Sequence, residues 1–214
     1  MERLEAELAA ARAIDVAALA DVIEDVGFEC TRCGECCTAE DGAPHTATVF
    51  PGEIRDLQAA TDSEWADVAR PMPFGLDEEG AGKTFEWALQ TDACGDCVFY
   101  EEADDRGACT VHEDRPLICQ TYPFSLDVGA ESEADAPGSV VERVGDLAVH
   151  ECEGLGRDID REDARELAEA LIERTVVELE EAIAVRDAYE PTDESGTVVH
   201  DSEGAKRPDG TPIR

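Results

Sequence analysis

The chain has few aromatic residues, only 5 % of its 214 positions. Its core must therefore be built mostly from Val, Leu, Ile and Ala. Lysine is scarcer still: Lys83 and Lys206 stand alone, and the other bases are arginines. No run of about 18 apolar residues occurs, which excludes a membrane-spanning helix. The opening stretch MERLEAELAAARAIDVAALADVIEDVG carries acids throughout and has no basic segment followed by an apolar block. That speaks against a signal peptide and makes a cytoplasmic location the expectation. GxGxxG after a strand, a P-loop, GxSxG and HExxH are all missing, so the fingerprints of dinucleotide enzymes, NTPases, α/β-hydrolases and zinc proteases do not apply. No internal repeat is visible.

Acids, by contrast, are abundant: 53 Asp and Glu against 17 bases give a net charge of −36, spread along the whole length. A field of that sign repels phosphate backbones and anionic lipid, so neither a nucleic-acid nor a membrane partner is expected. The even spread argues against an acidic tail on an ordinary body. It reads as a halophile surface, because at molar salt the Debye length falls to about 3 Å and self-repulsion is screened.

Periodicity outlines an α+β chain. A helix is predicted over 2–26, with Leu4, Leu8, Ala11, Ile14 and Leu19 recurring and Gly27 placed to stop it. FPGEIRDLQAA (50–60) reads as a short helix with Pro51 in its first turn, and DSEWADVAR (62–70) as another, capped by Asp62 or Ser63. KTFEWALQ (83–90) alternates like a strand, and EDRPLICQ suits a short helix opened by Pro116. Residues 129–138 read as a polar loop, and 139–150 as one or two strands about Gly145-Asp146. The longest periodic element runs from Asp160 to about Ala188, its stripe marked by Leu167, Leu171, Ile172, Val176, Leu179 and Ile183. The expected organisation is an N-terminal helix (1–27), a small irregular cysteine-rich domain organised by metal (28–156), a C-terminal helix (157–189) and a disordered acidic tail (190–214). Whether the terminal helices pack together or dock a partner stays open.

Nine cysteines dominate the middle of the chain. CTRCGECC places Cys30, Cys33, Cys36 and Cys37 within eight positions; Cys94 and Cys97 form a CxxC, and Cys109, Cys119 and Cys152 follow. Two thiolates two residues apart can face one ion across a tight turn. Three at i, i+3 and i+6 extend this to a cluster cradle. Adjacent side chains tend to diverge, so Cys36 and Cys37 are expected to serve different centres, or one of them to pack inward. An odd count in a reducing compartment speaks against a closed disulfide framework. Eight or nine thiols suffice for two four-ligand sites, or for a cluster plus a zinc.

FECTRCGECC, CVFY, CTVHEDRPLICQTYPF and CEGLG, in that order over about residues 28–156, resemble the CxxCxxCC zinc- or iron-chelating domain family, the YkgJ-type cysteine-cluster proteins. The resemblance implies that Cys30, Cys33, Cys36, Cys37, Cys97, Cys109, Cys119 and Cys152 form the metal-binding set. It also implies an iron–sulfur oxidoreductase label, and a related branch contains flagellin lysine methylases. This chain departs from the pattern at Gln120, where an arginine often stands, at His112 in place of a tyrosine, and at Cys94, an additional thiol. Cys94 and His112 are thus further candidate ligands.

The neighbours of the cysteines have physical readings of their own. Arg115 can offset the charge of gathered thiolates or form a surface ion pair. Tyr122-Pro123-Phe124 can wall the site or simply pack the core. His45 and His150 are weaker ligand candidates, and His200 falls in the tail. All-cysteine ligation suits both zinc and iron–sulfur chemistry. The surplus beyond four ligands favours an iron–sulfur centre, of the 4Fe–4S type, in a redox or electron-transfer role with an unidentified redox or protein partner. Zinc in a structural or binding module is the alternative, and a protein lysine methylase-like enzyme a further one. A thiol oxidoreductase using Cys94 and Cys97 would need a helix directly after CGDC, whereas VFYEE reads as extended.

Overall fold

A computed structural model describes residues 2–40, 42–77, 79–103, 106–129 and 140–213. In chain order the helices are α1 (Glu2–Arg12), α2 (Val16–Val26), α3 (Pro51–Thr61), α4 (Trp65–Val68), α5 (Leu117–Thr121) and α6 (Arg161–Ala188). The strands are β1 (Thr48–Val49), β2 (Ala69–Pro71), β3 (Gly82–Thr84), β4 (Trp87–Leu89), β5 (Tyr100–Ala103), β6 (Arg106–Cys109), β7 (Phe124–Leu126), β8 (Val140–Val144), β9 (Leu147–His150), β10 (Thr197–Asp201) and β11 (Gly204–Lys206). The fold class is α+β, with helices at the start of the chain and toward its end, as the periodicity predicts. Among the described residues no helix is long and apolar enough to cross a membrane.

The chain divides into two units. The first comprises residues 1–33 and 117–180, the second residues 34–116 and 181–214.

In the first unit, α2 and α6 press Leu19, Ala20, Ile23, Ala164, Ala168 and Leu171 against Phe124, Leu147 and Val149 of the antiparallel sheet β7-β9-β8. The buried line on α6 steps through Ala164, Ala168, Leu171 and Thr175, so the small residues face the core. The larger apolar residues of the predicted stripe, Leu171 excepted, are only half-buried beside that line. Phe28 meets Phe124 edge-on, with centroids 5.7 Å apart. The predicted helix over 2–26 is two helices. The carboxylate of Asp15 accepts the Ala18 N–H at 2.8 Å and starts α2 anew, a local bond that competes with helix continuation. Gly27 stops α2 as expected, its N–H donating to Ile23 O at 2.8 Å. The terminal helices pack together here, α2 and α6 sharing one core.

In the second unit, β4 is central between β1 and β2, all antiparallel, with Trp87 and Ala88 fully buried. Ile54 and Leu57 of α3 and Val68 of α4 are buried as well. The stretch 83–90 forms two strands rather than one, because Phe85 and Glu86 separate β3 from β4, which join different sheets. The helix expected over 62–70 spans only Trp65–Val68 and is capped by Glu64; Ala69–Pro71 pairs with β4 instead.

The tail is the largest correction. Within 190–214, expected to be disordered, β10 pairs in parallel with β3 and antiparallel with β11, and Val198 and Val199 are fully buried. Lys206 Nζ lies 2.8 Å from Asp201 Oδ2, and Trp87 Nε1 donates to the same oxygen at 2.8 Å. Average composition concealed two short strands, the first of which finds β3 far away in sequence. Of the one or two strands expected about Gly145-Asp146, two form, β8 and β9, paired as a hairpin; the loop expected at 129–138 lies outside the described residues except for Gly129.

Candidate metal centre

The boundary between the units falls inside the CTRCGECC run. Cys30, Cys33, Cys119 and Cys152 lie in the first unit, and Cys36, Cys37, Cys94, Cys97 and Cys109 in the second. None of the nine is in a disulfide.

In the first unit, three segments bring thiols to one neighbourhood. Phe28 bridges Leu155, and Glu29 N–H donates to Gly154 O at 3.1 Å, so the strand entering Cys30 runs beside the loop holding Cys152. A Cβ on Gly154 would lie 2.3 Å from Glu29 O, which gives the short CEGLG segment its physical reason: only glycine permits that approach. Gly154 N–H also donates to Cys152 Sγ at 3.4 Å. Cys119 is carried by α5, and the Tyr122 hydroxyl donates to Glu151 O at 2.5 Å, tying the end of α5 to the Cys152 loop. Arg174 of α6 secures the same end, donating to Thr121 Oγ1 at 3.1 Å and Phe124 O at 3.2 Å. Sequence reasoning missed Arg174, which lies in a helix 55 residues past Cys119 with nothing local to mark it. Between Cys30 and Cys33, Arg32 adopts φ +60°, a left-handed turn that bends the pair back on itself.

In the second unit, Glu35–Cys37 forms a single 3₁₀ turn, and Cys37 N–H donates to Gly34 O at 2.7 Å. Cys36 Sγ and Cys37 Sγ lie 3.8 Å apart. The expected divergence of these neighbours is therefore not observed: the tight turn leaves both side chains on one side. Cys97 N–H donates to Cys37 O at 2.8 Å, which sets the second CxxC directly against the first run. Asp92 shapes that CxxC, its carboxylate accepting the N–H of Cys94 at 2.8 Å and of Asp96 at 3.0 Å. Cys109 ends β6, paired with Tyr100 at the start of β5. The extended reading of VFYEE thus holds, with a strand after CGDC rather than the helix a reactive dithiol requires.

Electrostatics ties the second set together. The Cys36 thiol is pushed well above its ordinary range by its hydrogen bond to Cys37, with burial adding to the effect. Burial, with smaller contributions from the nearby Cys109 and Cys36, raises Cys97 to about 11. Cys109 is raised by burial too, and the Arg115 guanidinium acts against that shift at both Cys36 and Cys109. Arg115 is oriented by its Nε–H, which donates to His112 O at 2.9 Å. Its role in offsetting gathered thiolate charge therefore has a geometric basis. Cys36, Cys97 and Cys109 thus give up their protons less readily than free thiols, and a metal ion binding there would have to displace them.

Cys94 is exposed on its turn. His112 is an exposed ring 3.4 Å from Glu113. His45 and His150 are depressed chiefly by burial, and His150 Nε2 is engaged with Ser125 Oγ at 2.9 Å. Tyr100, given no separate role from sequence, covers the run: a Cβ on Gly34 would lie 2.3 Å from its hydroxyl oxygen.

Among the described residues no three His, Cys, Asp or Glu side chains are already arranged around one point to hold an ion. The donor chemistry nevertheless fits zinc or iron, as these are soft thiolate sulfurs on short turns, and sites of this kind commonly close only when metal binds.

The family described as "CxxCxxCC: Putative zinc- or iron-chelating domain" matches residues 29–141, just over half of the chain. The chain belongs to this family. The CxxCxxCC match takes in eight of the nine cysteines and stops short of Cys152. Cys152 joins the CxxCxxCC cysteines of the first unit through contacts that include Glu29–Gly154 and Tyr122–Glu151. No curated protein and no solved structure matches the chain.

Proposed function

We propose that this CxxCxxCC protein carries two thiolate metal centres, one in each unit, and that an iron–sulfur cluster in the first gives it a redox role. Cys30, Cys33, Cys119 and Cys152 would hold that centre, and Cys36, Cys37, Cys97 and Cys109 the other. The observation that carries this reading is the division of the cysteines between the units, which leaves four thiols in the first, while in the second the Cys36 and Cys37 sulfurs lie 3.8 Å apart and the Cys97 N–H donates to Cys37 O.

The first set supplies four thiols, the number a four-cysteine cluster takes, from three separate segments. The Gly154 N–H directed at Cys152 Sγ is the kind of sulfur hydrogen bond that tunes cluster potential. Cys30 and Cys33 are exposed, which gives an electron donor or acceptor protein access to the centre. When bound, the cluster would supply one-electron chemistry; the chain's part is to hold it and leave one edge open.

The test is anaerobic purification in high salt, followed by a visible spectrum and measurement of iron, zinc and acid-labile sulfide per chain. Iron with matching sulfide and a broad thiolate-to-iron absorption supports the redox reading. A colourless protein with stoichiometric zinc overturns that role and leaves a zinc-stabilised module. A folded protein that takes up neither metal overturns metal binding altogether.

A further inference from the structure

We infer that Cys36 and Cys37 chelate one and the same metal ion, so that the second unit holds a mononuclear centre rather than a cubane cluster. The inference rests on the thiolate-metal reading above and goes beyond it in fixing which sulfurs share an atom.

The argument is geometric. A metal–sulfur bond of about 2.3 Å at a tetrahedral ion puts two of its sulfurs about 3.8 Å apart. Cys36 Sγ and Cys37 Sγ are separated by 3.8 Å with no ion between them. In a four-iron cubane held by four cysteines, each iron takes a single protein thiolate, so two protein sulfurs never share an iron. A pair already at the edge length of one tetrahedron suits one ion and not two corners of a cube.

The backbone holds the pair there. Gly34, at φ +86°, starts the turn, and the Cys37 N–H bond to Gly34 O closes it. The third thiol starts from direct backbone contact with the pair, through the Cys97 N–H to Cys37 O bond at 2.8 Å, rather than from a cluster's width away. Cys109 comes from the end of β6, where it pairs with Tyr100, three residues past Cys97. Four thiols binding one divalent ion release four protons and leave a net charge of −2, which faces the Arg115 guanidinium. The ligand class is a single soft divalent ion, Zn(II) or Fe(II).

The test is titration of the reduced, metal-free full chain with Co(II), counting bound equivalents from the thiolate-to-cobalt absorption. The wild-type chain is expected to bind two equivalents. Cys36→Ser and Cys37→Ser are each expected to lose one, and the double variant C36S/C37S also only one, because both sulfurs serve one ion. Cys94→Ser should retain two, whereas C30S/C36S should lose both. A double variant C36S/C37S that loses two equivalents overturns the inference, since the neighbours would then serve different centres.

Folding of the variants need not limit the test. On the wild-type protein as purified, metal is withdrawn stepwise by a chelator and exposed thiols are alkylated and mapped by mass spectrometry. Cys36 and Cys37 should become reactive in the same step as Cys97 and Cys109. Reactivity in different steps, or inorganic sulfide released in that step, overturns the inference while leaving metal binding intact. A wild-type chain that binds no cobalt, zinc or iron overturns the broader reading and this one with it.

Discussion

Replacing Gly34 by alanine tests whether the CTRCGECC turn is the element that prepares the second thiol set. Two costs combine. Gly34 sits at φ +86°, where a Cβ costs roughly 1 kcal/mol. That Cβ would also lie 2.3 Å from the Tyr100 hydroxyl oxygen and 2.7 Å from the ring carbon bearing it, so the ring must leave. Displacing a half-buried aromatic ring forfeits about 1–2 kcal/mol of burial. The sum, about 2–3 kcal/mol, corresponds to roughly a 30- to 150-fold loss of metal affinity if ligation needs the native turn. Gly42→Ala is the control: Gly42 has nearly the same φ, +82°, with nothing within 4 Å of an added Cβ, so it should cost only the backbone share. The assay is competition for Zn(II) against a chromophoric chelator, with circular dichroism confirming the fold. A Gly34→Ala chain whose affinity stays within about twofold of the Gly42→Ala chain would refute the reasoning, because the Tyr100 contact would then carry no weight.

Other positions make equally direct predictions. Lys206→Met leaves the Asp201 carboxylate, 4 % exposed, without its cation at 2.8 Å, and is expected to cost about 3–5 kcal/mol in denaturant unfolding; a loss below 1 kcal/mol would contradict it. His200 is 1 % exposed, its ring nitrogens have no hydrogen-bond partner among the described residues, and it lies between Phe85 and Tyr189. Burial, and then Lys83, depresses it, against a smaller opposing pull from Asp201. The neutral ring is thus favoured in the fold, while the unfolded chain takes up a proton below about pH 6.5. Stability from this group is therefore complete above that pH and is lost as pH falls toward the folded value. His200→Phe should flatten that loss between about pH 7.5 and 5.5 in thermal scans, and an unchanged slope would exclude His200 as its source. Finally, with a net charge of −36, the melting temperature should rise as KCl goes from about 0.1 M to 1 M and the Debye length shrinks from about 10 Å to 3 Å; a flat response would show that self-repulsion is not limiting.

The sequence by itself determined the class of chemistry and the elements that local rules control. Cysteine spacing announced metal ligation because two or three thiols within one turn have few other uses, and the family match agrees. Gly27 as a helix stop, Pro51 at a helix start, strand structure about Gly145 and the long helix to Ala188 were legible because each depends on a few adjacent residues. Only the tertiary structure decided how the thiols are shared out. The division inside CTRCGECC comes from long-range contacts, Glu29 with Gly154 and Cys37 with Cys97, which no spacing rule encodes. The 3.8 Å approach of Cys36 and Cys37 depends on the turn and on side-chain rotamers, so adjacency alone pointed the wrong way. The ordered tail was hidden for the same reason. Val198 and Val199 are too few to mark a core segment by composition, yet β10 finds β3 more than 110 residues earlier and buries them completely.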